Sequence, residues 1–126
     1  MSALRRDPIR EASNIVKSFV ARSKPLQKAA ILLNSLSPEV TVEVSRGFTE
    51  REIKGLLPEM TRLPYANSIE TVAIISEFFH IHRLWPSVGG SLTESEEILR
   101  ALERWASRNP RRLAKLLKES WLSPRI

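Results

Sequence analysis

The two histidines, His80 and His82, are the side chains best suited to metal or proton chemistry, and they stand two residues apart. At i and i+2 on a helix they point to different faces, so a single helix does not chelate a metal through both. There is no cysteine, which excludes a disulfide framework and a thiolate metal site. The carboxylates Glu43, Glu50, Glu52, Glu59 and Glu77 are scattered along stretches of helical pattern, where acids serve capping and the helix dipole. A glycine-rich phosphate loop, a nucleophile elbow, an HExxH pair and a DxDxDG loop are all missing. The sequence therefore predicts a protein that is not an enzyme and needs no cofactor.

What remains to carry function is apolar surface, and it is densest from Gln27 to Glu39. Ala29, Ala30, Ile31, Leu32, Leu33 and Leu36 make this stretch apolar nearly all round, the pattern of a helix covered on several sides. Pro25 suits its first turn, and Ser37-Pro38 supplies an N-cap and first residue for the next helix. A central helix of this kind requires a surrounding layer.

The rest of the chain supplies candidates. Asp7-Pro8 opens a helix to about Arg22, with Ile9, Ala12, Ile15, Val16, Phe19 and Val20 as its apolar stripe. Val40, Val42 and Val44 alternate as in a strand, but the Ser37-Pro38-Glu39 start favours a helix to Arg46, ended by Gly47. Thr49 and Glu52 form a capping box for a helix that turns Ile53, Leu56, Leu57, Met60 and Leu63 inward. Pro58 predicts a kink or break there, since an interior proline costs about 3 kcal/mol unless the helix bends. A helix from about Ile69 to Arg83 follows, with Ile69, Val72, Ile75, Phe79 and Leu84 inward and Ala73, Ile74 and Phe78 beside them.

Trp85 to Ser91 gathers proline, glycine and serine and reads as a linker. Beyond it lie two amphipathic helices. Thr93 and Glu96 form a capping box for the first, which carries Ile98, Leu99, Leu102 and Trp105. Asn109-Pro110 starts the second, which carries Leu113, Leu116, Leu117 and Trp121. Two such helices cannot bury their own faces and must pack on residues 25–84, on another chain or on a lipid surface.

The 126 residues suffice for one domain with a modest core, being 42% hydrophobic, and no run approaches a membrane span. The N-terminus lacks the apolar core of a signal peptide. Together these features predict an intracellular, soluble chain. The net charge of +6 is unevenly placed: residues 1–24 carry +4, residues 25–92 carry −1 and residues 93–126 carry +3. Basic flanks suit nucleic acid, anionic lipid or plain solvation. No aromatic or glycine pattern is interleaved with the charge, which favours solvation over nucleic-acid binding.

QKAAILLNSLSPE, FTEREI, EMTRL and SIETVAIISEF, in that order over residues 24–84, resemble the N-terminal domain of FliG, the flagellar motor switch protein. Lys28 to Leu33, Leu36, Pro38-Glu39, Glu52-Ile53, Glu59, Leu63 and Glu77-Phe78 carry the resemblance. Ser37 stands where that family usually has glycine, Pro58 falls within a family helix, and Val40 to Val42 replace the usual alanines. The segment NPRRLAKLLKESWL resembles the cytoplasmic tail of FliF, the MS-ring protein, through Pro110, Leu113-Ala114, Leu116-Leu117 and Trp121-Leu122. In it Trp121 comes one residue later than usual. The FliG middle domain is the rival for this tail, and the two tryptophans, the short linker and the end at Ile126 favour FliF.

The resemblance implies an all-α fold, a compact right-handed multi-helix bundle of armadillo-like type with about six to seven short helices. It divides the chain into a FliG-like domain at 1–88, a linker at 89–92 and a FliF-like helical pair at 93–126. It implies a structural module that couples the switch (C) ring to the MS ring, cytoplasmic and peripheral to the inner membrane through its partner. The partners implied are other rotor proteins, a second copy among them, with the tail docked in cis or swapped. The groove would be lined by Ile31, Leu32, Leu33, Ile53, Leu57, Ile75 and Phe79. It would be filled by Leu99, Leu102, Trp105, Leu113, Leu116, Leu117 and Trp121. A small basic nucleic-acid binder or a membrane-peripheral adaptor is the alternative.

Overall fold

A computed structural model describes residues 24–62, 68–89 and 94–122 of the chain, so the helix read at 8–22, Leu63 and the Thr93 cap lie outside the described residues. The described residues form helices and turns with no strand. Six α-helices follow in order: α1 (Pro25–Asn34), α2 (Pro38–Ser45), α3 (Glu50–Arg62), α4 (Ser68–Ile81), α5 (Ser95–Arg108) and α6 (Pro110–Leu117). A 3₁₀ turn at Trp85–Val88 precedes α5, and a π turn at Lys118–Leu122 continues α6.

Helix α1 is the centre of the core. Ala29 to Leu33 are five consecutive buried residues, so no face of this stretch meets water. Helices α3, α4 and the π turn all pack on it. The two alanines bring neighbouring backbones close, and Asn34 Nδ2 ties the end of α1 to the Met60 carbonyl at 3.0 Å.

Local signals fix most boundaries. Ser37 caps α2 by accepting from the Val40 N–H, and Pro38 takes the first helical position. Val40 and Val44 are buried while Val42 is 53% exposed, the i, i+4 pattern of a helix rather than the alternation of a strand. Thr49 and Glu52 close the expected capping box, with Glu52 N–H donating to Thr49 Oγ1 at 3.1 Å and Thr49 N–H to Glu52 Oε1 at 2.7 Å.

Several expectations need correction. Helix α3 runs unbroken through Pro58. Lys54 and Pro58 both lie on its exposed side, so the Lys54 carbonyl that loses its N–H partner meets water instead. Leu57, read as inward, is 55% exposed, because α1 covers only the side of α3 that carries Leu56. In α4 Ile75 and Phe79 are buried as expected, with Leu84 just beyond the helix, but Thr71, Ile74 and Phe78 share the inward face while Ile69 is 55% exposed. That helix is apolar on nearly every side, so periodicity alone does not choose its face. Helix α5 begins at Ser95 behind Glu94, which makes no side-chain cap. Trp85–Val88 is not free linker: Val88 is buried, and Trp85 stands edge-on to Phe79 at 5.1 Å.

Gly47 follows α2 as expected, but not for a left-handed backbone, which among the described glycines only Gly89 adopts. A Cβ at Gly47 would lie 2.7 Å from the Ala114 Cβ. The glycine is there to let α2 and α6 meet.

Candidate protein-interaction groove

The surface that α5, α6 and the π turn cover is formed by α1, α2 and α4. Helix α5 packs on α4 and α2, α6 packs on α2, and the π turn packs on α1. Of the expected tail anchors, Leu102, Leu113 and Leu117 are fully buried, and Trp105 and Trp121 are 7% and 6% exposed. Leu99 and Leu116 are half-buried at the rim. Ile31, Leu32, Leu33, Ile75 and Phe79 are buried in the same core.

The two remaining expected lining residues lie elsewhere. Ile53 and Leu57, with Val42, Phe48 and Met60, line a small apolar recess to which no tail residue contributes. It is an opening between α2 and α3, about 170 Å³ in volume.

Sequence reasoning missed other members of the interface. Ala101 and Ala106 join the expected Ile98, Leu102 and Trp105 to complete the buried stripe of α5 at i, i+3, i+4, i+7 and i+8. The signal was present in the sequence, since alanines at these positions extend the Ile98, Leu102, Trp105 pattern. Phe78 is fully buried and its ring centroid lies 5.4 Å from that of Trp121, in a tilted arrangement.

Trp121 lies within the π turn that continues α6. A π turn takes up one more residue per turn than an α-helix. Leu113, Leu117 and Trp121, at i, i+4 and i+8, share one buried face. Above its ring stands the Lys28 ammonium, 6.0 Å from the centroid.

Polar groups pin this apolar contact at three places. The Glu103 carboxylate of α5 accepts from the Ser37 N–H at 2.9 Å and from the Ser37 hydroxyl at 2.8 Å. The residue that caps α2 is thus itself held by the tail. Lys28 pairs with Glu77 at 2.8 Å, joining α1 to α4 beside Trp121. Lys118 reaches Glu52 at 3.4 Å, linking the π turn to α3.

His80 is exposed and His82 half-buried, as their i, i+2 spacing requires. The His82 ring lies edge-on to Phe78 with centroids 4.6 Å apart, and its Nε2 is buried without a hydrogen-bond partner. Burial lowers its pKa from the ordinary value of 6.5, and the nearby Glu119 carboxylate opposes that shift. Glu119 sits in the π turn, so the tail and this histidine are electrostatically coupled.

Helices α5, α6 and the π turn close one helical core with α1, α2 and α4. The chain belongs to the FliG N-terminal domain family, whose family model matches residues 22–119. The match passes beyond residue 84 through α5 and α6, and draws no boundary at residues 89–92. FliG is a switch component of the bacterial flagellar rotor, in the cytoplasmic part of the basal body, and its N-terminal domain is a structural motor domain rather than an enzyme family. Among the described residues, no helix is long and apolar enough to cross a membrane. No curated protein and no solved structure matches the chain.

Proposed function

We propose that this chain is a structural coupling module of the flagellar rotor, joining the switch (C) ring to the MS ring by clasping an amphipathic helical tail. Residues 1–88 act as the clasp, residues 89–92 as a tether, and residues 93–126 as a segment that behaves like the FliF tail. The observation that carries this reading is the seating of Leu113, Leu117 and Trp121, one face of α6 and its π turn, against α1 and α2. Large apolar anchors in a preformed groove dominate the energetics of such interfaces.

In this chain the groove is filled from the same polypeptide. Covalent linkage holds the tail at an effective concentration on the order of 1 mM. A free FliF tail must therefore compete against it. The test is titration of the full chain with a fluorescent peptide of the FliF cytoplasmic tail. The unmodified chain binds it weakly, and Trp121→Ala, which loosens the resident segment, binds it at least about tenfold more tightly. A peptide that binds neither form, or both equally, overturns the reading.

A further inference from the structure

Along the described helices some exposed cations are paired and others, Arg51 of α3 among them, are not. Arg46, Lys54, Arg62 and Arg100 each have a carboxylate three or four residues away on the same helix or at its cap. Between residues 104 and 115 the pattern changes. Arg104, Arg108, Arg111, Arg112 and Lys115 are exposed, and none makes an ion pair. Arg104 and Arg108 stand at i and i+4 on α5, where like charges repel.

Three of these guanidinium groups share one cleft. Arg104, Arg108 and Arg112 line an opening of about 500 Å³ with Ser87, Trp105 and Asn109, where α5 turns into α6 and the 3₁₀ turn closes one side. No carboxylate lines it. Asn109 Nδ2 is engaged with the Trp105 carbonyl at 3.0 Å, and the Arg112 guanidinium lies over the Trp105 ring at 6.0 Å, which steadies it. The cleft thus offers forked N–H donors, a hydroxyl and an aromatic wall, and places no negative charge among its lining residues. Arginine forks match the oxygens of a phosphoryl group bidentately.

We infer that this cleft, lined by Arg104, Arg108, Arg112 and Ser87, is a binding site for a phosphate-bearing anion. It shares Trp105 and Ala101 with the apolar interface but does not depend on the coupling function proposed above. The phosphoryl group comes either from a free anion or from the headgroup of an anionic phospholipid, and the recognising chemistry is the same. Its size admits one headgroup or one diphosphate rather than a long polyanion.

The test uses the full chain in phosphate-free buffer. Pyrophosphate is titrated while the Trp105 indole N–H resonance is followed, assigned by Trp105→Phe. In parallel, co-sedimentation is measured with vesicles of phosphatidylcholine alone and with phosphatidylglycerol added. Saturable movement of the Trp105 signal with pyrophosphate identifies a free-anion site. Co-sedimentation that requires phosphatidylglycerol identifies a headgroup site. In either arm the triple variant R104Q/R108Q/R112Q lowers affinity at least about tenfold. The triple variant R46Q/R111Q/K115Q removes the same charge beside the neighbouring face of α6 and retains most of the binding. Equal loss in both triple variants means diffuse attraction and overturns the site, as does the absence of binding in both arms.

Discussion

Replacing Glu103 with alanine removes both hydrogen bonds by which α5 holds Ser37, the N-cap of α2. The two contacts, 2.9 Å from the N–H and 2.8 Å from the hydroxyl, are charge-assisted on the carboxylate side. A hydrogen bond to a charged group contributes about 1.5–3 kcal/mol net when buried, and this pair is only partly buried. Taking the lower half of that range for the pair, since both bonds share one side chain, Glu103→Ala costs about 1.5–2 kcal/mol. Ser37→Ala loses the hydroxyl contact and the Val40 cap together, about 1–2 kcal/mol. Because both changes delete the same hydroxyl–carboxylate bond, the double mutant is less unstable than the sum by about 1 kcal/mol. Urea denaturation of the four proteins, followed by far-ultraviolet circular dichroism, gives all three quantities. A Glu103→Ala protein within about 0.5 kcal/mol of the parent, or strictly additive substitutions, would show that α5 does not sit on the N-terminus of α2.

Three further outcomes follow from the same geometry. Trp121→Ala empties a site bounded by Phe78 and Lys28 and lowers stability by about 3–5 kcal/mol; an unchanged urea midpoint would mean the ring is not buried. Gly47→Ala drives its new Cβ into Ala114 and destabilises by about 1–3 kcal/mol, whereas Gly55→Ala, with nothing within 4 Å, stabilises α3 by about 0.5–1 kcal/mol; a thermal-melt pair with the same sign would refute the close α2–α6 contact. His82 has a folded pKa below its unfolded value of 6.5, so its neutral form stabilises the fold above that pH. That contribution is lost as pH falls through the unfolded pKa towards the lowered folded one. Removing the opposing carboxylate with Glu119→Gln lowers the His82 pKa further and deepens the loss, which a proton NMR titration of the His82 ring reads directly; an upward shift would contradict the placement of Glu119.

The parts of the fold that sequence disclosed are those governed by local rules. Pro25, the Ser37-Pro38 pair and the Thr49–Glu52 box marked helix starts because caps act within one turn. The amphipathic faces of α5 and α6 were legible because their polar and apolar residues separate cleanly. The first turn of α4 was misread, Ile69 being exposed, because apolar residues surround the helix and only its neighbours select the face that Phe78 shares with Ile75 and Phe79. Of the kink or break expected at Pro58, the break does not occur, since a proline's cost inside a helix depends on its surroundings. The Ser37–Glu103 tie joins residues 66 apart in sequence, and nothing local announces it. The arginine cleft was visible only as surplus charge in residues 93–126, since its convergence depends on the angle between α5 and α6.

The account stands on the tail occupying the groove of its own chain, and the Phe78–Trp121 ring contact reports on that most directly. Nuclear Overhauser spectroscopy of the uniformly labelled protein should give cross-peaks between these rings, whose centroids lie 5.4 Å apart. An isotope-filtered spectrum of mixed labelled and unlabelled chains should show none. Cross-peaks that appear only in the filtered spectrum, or in neither, would contradict a groove filled in cis.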